Sequence, residues 1–157
     1  MVFKKMTDEF IALDVEKING YLCAIEAINT ADNTGVEYKL IRLSEKETLL
    51  KSVESYISVT HPDTVLDYWH INLEQINEDH LSSSINTWLF RFGMAKKLHK
   101  KLISLQIAFM DVLKQLVYTP NIYRINMTPP IWYATDWEMF LFDSKNGFFL
   151  LEFSFDS

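Results

Sequence analysis

Two apolar runs close to the C-terminus constrain the fold of this chain more than any other feature. Residues 137–142 and 148–155 are rich in aromatic side chains, and the polar residues 143–147, which end in an Asn-Gly pair, separate them. Aromatic runs joined by a short Asn-Gly turn are typical of a β-hairpin. The sequence therefore predicts a hairpin in this region, onto which the rest of the chain packs.

The predicted register of this hairpin places two glutamates side by side. If Phe142 lies opposite Phe148, then Glu138 lies opposite Glu152, and the two carboxylates repel each other unless a cation or water screens them. Arg124 is the nearest candidate cation in the sequence. A coupled carboxylate pair would suit acid–base catalysis, but we favour two exposed glutamates on the solvated face of the sheet.

Upstream of the hairpin, much of the chain shows helical periodicity. We predict a helix that begins at the cap residue Thr7 and another that follows a capping box at Ser44. Two more helices are predicted over residues 64–76 and, after a cap at 82–84, over residues 85–117 with an interruption at Gly93.

The remaining elements indicate the fold class. Strands are predicted over residues 36–43 and 121–126, whereas the two prolines at 129–130 cannot belong to regular structure. This order predicts an α+β fold, in which several amphipathic helices are followed by a small C-terminal antiparallel sheet and cover one of its faces. Because 157 residues is a usual size for one domain, we expect residues 1–157 to form a single globular domain.

The charge of the chain is acidic and unevenly distributed. A net charge of −6 disfavours a nucleic-acid partner bound by neutralising its phosphates. Residues 1–83 carry 15 acidic and 7 basic side chains, whereas residues 84–157 carry 6 acidic and 8 basic ones. Pairing between the two parts explains this asymmetry, and a basic protein partner is the functional alternative.

Several features bear on the cellular compartment. The single cysteine, Cys23, excludes an internal disulfide and is expected to be a small buried residue on a helix. The first ten residues combine two lysines with acids and lack an uninterrupted apolar segment, which argues against a secretory signal. No apolar run reaches the ~18 residues of a membrane span. We therefore expect a cytoplasmic protein with no membrane partner.

The motifs of catalysis and metal binding are absent from the sequence. His61, Asp63, Asp67 and His70 are possible ligand types, but their spacing matches no known zinc or iron signature. There is no Gly-x-Ser-x-Gly and no glycine-rich phosphate loop, and Cys23 has no histidine close to it in the sequence. We therefore predict no metal, no cofactor and no catalytic residue, and hence no enzyme.

Two clusters are candidates for binding a partner. Aromatic and acidic side chains around the double proline have the composition of a protein-binding hot spot, although much of their area is expected in the core. A basic cluster, in which lysines share one face of the predicted long helix, is the alternative partner face or a solvated surface. The first set is Tyr123, Trp132, Tyr133, Asp136, Trp137 and Asp143; the alternative set is Arg91, Lys97 and Lys101.

The C-terminal segments Ile131-Trp-Tyr-Ala-Thr-Asp-Trp137, Met139-Phe-Leu-Phe-Asp143 and Asn146-Gly147-Phe-Phe resemble the ending common among small bacterial immunity proteins. These proteins belong to polymorphic-toxin and contact-dependent inhibition systems. The resemblance implies a cytosolic inhibitor that binds one cognate protein toxin, and a basic nuclease toxin would suit the acidic residues. An acidic secretion chaperone or adaptor, and an enzyme that uses Glu138, Glu152 and Arg124, are the alternative hypotheses.

Overall fold

The computed structural model describes residues 5–157. Met1–Lys4, part of the segment on which the prediction about a secretory signal rests, lie outside the described residues. None of the described helices is both long and apolar enough to cross a membrane. The helices are α1 (Asp8–Asn29), α2 (Leu49–Thr60), α3 (Glu78–Phe90), α4 (Gly93–Lys97) and α5 (Ile103–Val117), with a 3₁₀ helix at Leu66–Trp69. The strands are β1 (Gly35–Arg42), β2 (Asn72–Ile76), β3 (Ile122–Asn126), β4 (Asp136–Ser144) and β5 (Gly147–Asp156).

The five strands form one antiparallel sheet in the order β1-β5-β4-β3-β2. The predicted hairpin is confirmed as β4 and β5, which occupy two of the three central positions. The α+β fold class is confirmed as well. Strand β1 matches the strand predicted over residues 36–43, and β3 matches the one predicted over residues 121–126.

The predicted register of the hairpin is wrong by one residue. Asp143 and Ser144 extend β4, so that Lys145 and Asn146 alone form the turn and Ser144 lies opposite Gly147. Gly147 has a φ of +127°, a backbone conformation that would be strained for any residue with a side chain. Asn146 is buried, and its side-chain amide donates to the backbone oxygen of Leu116 at 2.9 Å. These contacts fix the shorter turn.

The one-residue shift separates the two glutamates. In the observed register Glu138 lies opposite Phe153, and Glu152 lies opposite Met139. Residues that lie directly opposite share a face, and neighbouring side chains on a strand point to opposite faces. The two carboxylates therefore lie on different faces of the sheet. Neither the coupled carboxylate pair nor the pair of glutamates on one solvated face exists.

Helices cover both faces of the sheet, whereas the sequence predicted cover on one face. On the first face α1, α3 and α5 pack against β4 and β5 through residues such as Phe140, Phe149 and Phe153. On the second face α2 and the 3₁₀ helix pack against Met139, Leu141 and Leu150. Burial on both sides explains why β4 and β5 are continuous apolar runs in the sequence. We call these the three-helix face and the α2 face.

The predicted helix over residues 64–76 is wrong. Its first part is the short 3₁₀ helix, which ends where His70 adopts a left-handed backbone conformation with a φ of +50°. Its second part is β2, which pairs with β3 along all five of its residues. Leu73 and Ile76 face opposite sides of the sheet and enter different cores, so tertiary pairing overrides the helical spacing.

Helix boundaries in the second half also differ from the predictions. The predicted long helix over residues 85–117 is divided into the end of α3, the short α4 and α5. Gly93, with a φ of +53°, lies against the backbone of Asn29, where a side chain would be crowded. Helix α3 begins earlier than predicted, because the Asn77 side chain accepts the backbone N–H of His80 and caps it.

Two further predictions in the first half are corrected. Helix α2 is capped by Thr48, whose hydroxyl oxygen accepts the backbone N–H of Lys51 at 3.1 Å, and not by Ser44. The Cys23 side chain is exposed on the surface of α1, because the buried stripe of that helix passes through Leu22 and Ile25. The cap at Thr7 is confirmed.

A buried polar cluster joins β1 to three helices. The Asn29 side chain donates to the Leu89 carbonyl at 3.1 Å and accepts the backbone N–H of Ala95 at 3.0 Å. The same amide donates to the hydroxyl of Tyr38, which in turn donates to the Trp88 carbonyl at 2.9 Å. These bonds hold the ends of α1 and α3 and the start of α4 against the sheet.

We predict that stability falls at alkaline pH because of Tyr38. Burial raises its pKa to about 12 from 10.0; the hydrogen bond from Asn29 opposes this rise and the negative charge of Glu26 adds to it. The folded state thus holds the phenol proton more tightly than the unfolded state. This contribution is fully present below pH 10 and is lost as the pH rises toward 12, by about 2–3 kcal/mol in total.

The measurement is urea unfolding at several pH values between 8 and 12, with Tyr38→Phe as the comparison. The variant should show a shallower loss of stability across this range. Tyr56 and Tyr133 also have raised pKa values, so some slope remains in the variant. Equal slopes in the two proteins would contradict the prediction.

Candidate partner-binding surface

The loop between β3 and β4, residues 127–135, carries the most exposed aromatic side chain among the candidates. Trp132 is 75% exposed, and its neighbour Ile131 is exposed too. The loop is anchored at both sides of this tip. The backbone N–H of Thr128 donates to the Trp69 carbonyl at 2.7 Å, and the Tyr133 ring packs 5.5 Å from the Trp137 ring. Trp132 is therefore presented on a fixed base.

An aromatic cluster forms that base. The Tyr133 ring lies edge-on to Trp69 with their centroids 6.2 Å apart, and 6.0 Å from the ring of His61. The Trp69 indole N–H donates to the hydroxyl of Thr64 at 2.9 Å, which fixes the orientation of the indole. Residues 61–69 and the loop 127–135 are thereby packed against each other.

A buried carboxylate holds the loop to the sheet. Glu152 is only 6% exposed and accepts hydrogen bonds from the hydroxyls of Tyr133 and, at 3.3 Å, of Tyr56. The ammonium of Lys39, directly across the strands, lies 3.5 Å from the same carboxylate. Lys39 also pairs with Glu37 at 3.1 Å. The charge of Glu152 is thus balanced where it is buried.

The contact with Glu152 explains the shifted pKa values of Tyr133 and Lys39. Burial raises the pKa of Tyr133, and the charge and the hydrogen bond of Glu152 raise it further. For Lys39 burial lowers the pKa, but the charges of Glu152, Tyr56 and Glu37 together outweigh that effect and leave the pKa raised. The phenol therefore stays a donor and the ammonium stays charged at neutral pH. The cluster is a structural clamp on the loop.

A cleft of about 180 Å³ opens beside this clamp. Trp132 and His61 form part of its wall, and Glu37 lies at its edge with an exposed carboxylate. The other residues that line it are Lys39, Tyr56, Ile57, Thr60, Tyr133, Glu152 and Ser154. Acidic and aromatic groups, together with the paired ammonium of Lys39, thus surround this hollow.

Four exposed apolar side chains lie on the two packed segments, and a fifth, Val59, lies just before them at the end of α2. We use the name Trp132 surface for Val59, Val65, Tyr68, Ile131 and Trp132, all of them exposed. Residues 52–90, which contribute three of these side chains, contain six acids and no lysine or arginine, and the lysine in the cleft, Lys39, is paired with Glu152 and Glu37. An apolar patch with an acidic border is typical of a site that binds a basic protein.

The structure divides the six predicted partner-binding residues among three places. Trp132, Tyr133, Trp137 and Tyr123 lie on the α2 face, where Tyr133, Trp137 and Tyr123 are half-buried and pack against its core. Asp136 is exposed but points to the three-helix face. Asp143 lies near the opposite end of β4, beside Thr119 and Asn121. The predicted set is therefore not one surface, and Trp132 is its most exposed member.

The alternative basic set is also dispersed. Arg91 follows α3, Lys97 ends α4, and Lys101 lies in the turn before α5, so the three do not share one helical face. All three are exposed. A cleft of about 390 Å³ is lined by Arg91 with Lys96 and His99, but not by Lys97 or Lys101. The breaks in the predicted long helix account for this dispersal.

Glu138 and Arg124 form a separate pair on the three-helix face. Arg124 Nε lies 3.4 Å from a carboxylate oxygen of Glu138, which confirms Arg124 as the partner of that glutamate. The other carboxylate oxygen accepts the indole N–H of Trp88 at 2.9 Å. Because Glu152 lies across the sheet, this pair lacks the second carboxylate that the enzyme hypothesis requires.

Sequence reasoning missed the clamp around Glu152. Lys39 comes from β1, Tyr56 from α2 and Tyr133 from the loop, so no local spacing links them. The two histidines of the predicted non-metal cluster lie on different elements. His61 directly follows α2 and its ring packs on Trp69, whereas His70 lies at the end of the 3₁₀ helix. Among the described residues, no three metal-binding side chains converge on one point.

The fold is similar to that of citrus MAF1 in two crystal structures, in space groups C 2 2 21 and P 31 2 1. The first has a TM-score of 0.59 and covers 91% of this chain and 98% of that chain. The second has a TM-score of 0.58 and covers 92% and 99%. Sequence identity is 17% in both cases, so the likeness shows a shared fold alone. No protein-family profile matches the chain, and no curated protein matches its sequence.

Proposed function

We propose that this protein is a cytoplasmic immunity protein, which binds a cognate bacterial toxin and blocks it by contact alone. The observation that carries the proposal is the exposure of Trp132 on a loop clamped to the sheet. An exposed tryptophan costs solvation free energy unless a partner covers it, and tryptophan is among the commonest hot-spot residues of protein interfaces. The C-terminal resemblance to immunity proteins supports the same conclusion.

The charge distribution favours a basic toxin. Residues 52–90 lack any positive side chain and contribute to the Trp132 surface, and the whole chain is acidic. Complementary charge accelerates association and suppresses binding to acidic proteins. The association rate with the toxin should therefore fall as salt is added, because added ions screen exposed charges.

The experiment that tests the function is capture of the toxin with the full chain as bait. Tagged protein is incubated with lysate of the source cells, and bound proteins are identified by mass spectrometry. One stoichiometric partner with a toxin domain, whose activity the purified protein abolishes, is the expected result. Several secreted partners bound by a dimer would favour a secretion chaperone, and failure to inhibit the captured protein would overturn the proposal.

We predict that Trp132→Ala weakens toxin binding at least about 30-fold, which corresponds to ~2 kcal/mol, without affecting the fold. Its side chain is 75% exposed, so its removal leaves no cavity. The measurement is isothermal titration calorimetry with the captured toxin. Phe10→Ala is the matched control, because Phe10 is an exposed aromatic residue of α1. Comparable losses in the two variants would contradict a specific role for Trp132.

The substitution Asp136→Lys tests which face of the sheet contacts the toxin. The sequence predicted that Trp132 and Asp136 belong to one partner-binding set. In the structure Asp136 points to the other face of the sheet. We therefore expect Asp136→Lys alone to leave toxin affinity within about threefold of the original, whereas Asp67→Lys, next to Tyr68, should weaken it.

A further inference from the structure

The two edge strands of the sheet, β1 and β2, differ in whether other residues bond to their outward-facing backbone groups. At the β1 edge, the Asn19 side chain accepts the backbone N–H of Leu40 at 2.8 Å and donates to its carbonyl at 2.9 Å. The Glu26 carboxylate accepts the backbone N–H of Tyr38 at 3.2 Å. Side chains of α1 thus take the place of a neighbouring strand. This edge cannot accept another chain.

The β2 edge has no such cover. Backbone groups of Asn72–Ile76 bond to β3 on one side, and no residue of the described part of the chain bonds to their outer side. Alternate N–H and C=O groups of this strand therefore face outward without a protein partner. Unpaired edges of this kind are templates for an added strand. The strand is five residues long, or about 17 Å.

A groove continues from this edge. It has a volume of about 690 Å³ and is lined by residues 75–78 and by Thr119, Pro120 and Ile122. At its other end β2 is preceded by the 3₁₀ helix, which contributes Tyr68 to the Trp132 surface. The open edge and the groove are continuous, because Gln75 and Ile76 belong to both.

The charge beside β2 indicates which kind of segment can pair with this edge. Residues 52–90, which include β2, carry six acids and no lysine or arginine. Lys114 pairs with Glu78 at 3.3 Å, and Arg124 lies across from Glu74 on β3, but the Glu74 side chain at the middle of the strand is exposed. A second copy of this protein would bring the same acids to the edge, and the symmetric register would place Glu74 opposite its own copy. An extended segment rich in lysine or arginine has the complementary charge.

We propose that β2 accepts an extended, basic segment of the partner protein as a sixth strand of the sheet. The inference rests on the proposed function, because the partner is the toxin. Main-chain hydrogen bonds to the outer side of β2 supply part of the affinity. The exposed Glu74 carboxylate selects a basic segment, and the adjoining groove, which Ile76, Pro120 and Ile122 help to line, receives its apolar side chains.

The test uses a synthetic probe, so its result does not depend on capturing the toxin. The probe is a blocked heptapeptide of alternating lysine and valine, added at millimolar concentration to the full chain. Hydrogen exchange of the amides in Asn72–Ile76 is followed by NMR. We expect exchange of the outward-facing amides to slow at least tenfold, while the amides of Tyr38 and Leu40, already bonded to α1, stay unchanged.

Matched peptides and variants make the result specific. A heptapeptide with N-methyl groups on alternate amides cannot pair and should give no protection. Glu74→Lys should weaken probe binding at least fivefold, whereas Glu16→Lys, the same charge change on the exposed surface of α1, should not. Circular dichroism verifies that both variants are folded.

Several outcomes would overturn the proposal. They are unchanged exchange of the β2 amides at saturating probe, equal protection by the N-methylated peptide, and equal protection by a glutamate–valine peptide. Protection that increases with protein concentration in the absence of probe would assign the edge to a second copy instead. If a toxin is captured and inhibited but the probe fails, the proposed function stands and this inference falls.

Discussion

Truncating Phe153 to alanine is expected to lower the free energy of unfolding by about 3–5 kcal/mol. Phe153 is fully buried in β5 on the three-helix face. Its ring lies 5.6 Å from that of Tyr38, stacks on Trp88 at 5.7 Å and meets Phe140 edge-on at 6.3 Å. Removing it leaves a cavity whose aromatic walls are held by separate elements and cannot close.

Urea unfolding followed by far-ultraviolet circular dichroism measures this loss. Phe155→Ala is the control, because Phe155 lies two residues further along the same face but is only half-buried, against Phe92. Its loss should be less than half as large. Equal losses would mean that the three-helix face is as loosely packed at Phe153 as at its rim.

Replacing Asn29 with leucine is expected to cost about 4 kcal/mol, although leucine is the more apolar residue. The Leu89 carbonyl and the Ala95 amide would lose their partner, and each unpaired buried group costs ~1–3 kcal/mol. Leucine cannot replace either bond. The expected signs are a lower urea midpoint and faster hydrogen exchange at Ala95.

Asn72→Leu provides the matched control for this substitution. Asn72 is exposed on β2, where its side chain meets only the amide of Asn126 at 3.4 Å. The same chemical change there should alter stability by less than ~0.5 kcal/mol. If Asn29→Leu were as mild, the buried cluster around Tyr38 would not be holding α4 in place.

The hairpin and the fold class could be predicted from the sequence because they depend on local patterns. Apolar runs, an Asn-Gly pair and helical stripes are visible within a few residues of each other. The register could not be predicted, because two polar residues, Asp143 and Ser144, continue β4 for reasons that only the burial of Asn146 explains. An error of one residue was enough to move Glu152 across the sheet.

The course of residues 64–76 shows a different limit. Their spacing suits a helix, yet Leu73 and Ile76 enter opposite cores once β3 is available as a partner. The candidate site was likewise predicted in part. Trp132 was identified from its loop and composition, but Glu152, Lys39 and Tyr56 meet only in the folded protein, so no spacing in the sequence could have found their clamp.

The position of β5 has a consequence for how the protein is made. Residues 147–156 form this strand, yet it lies between β1, which leaves the ribosome long before it, and β4. Until those residues emerge, β1 has no neighbour in the sheet and the backbone groups along one edge of β4 have no partner strand. A chain that stops before Gly147 would therefore contain all the described helices but would lack the strand that joins β1 to β4, and we expect cells to degrade it.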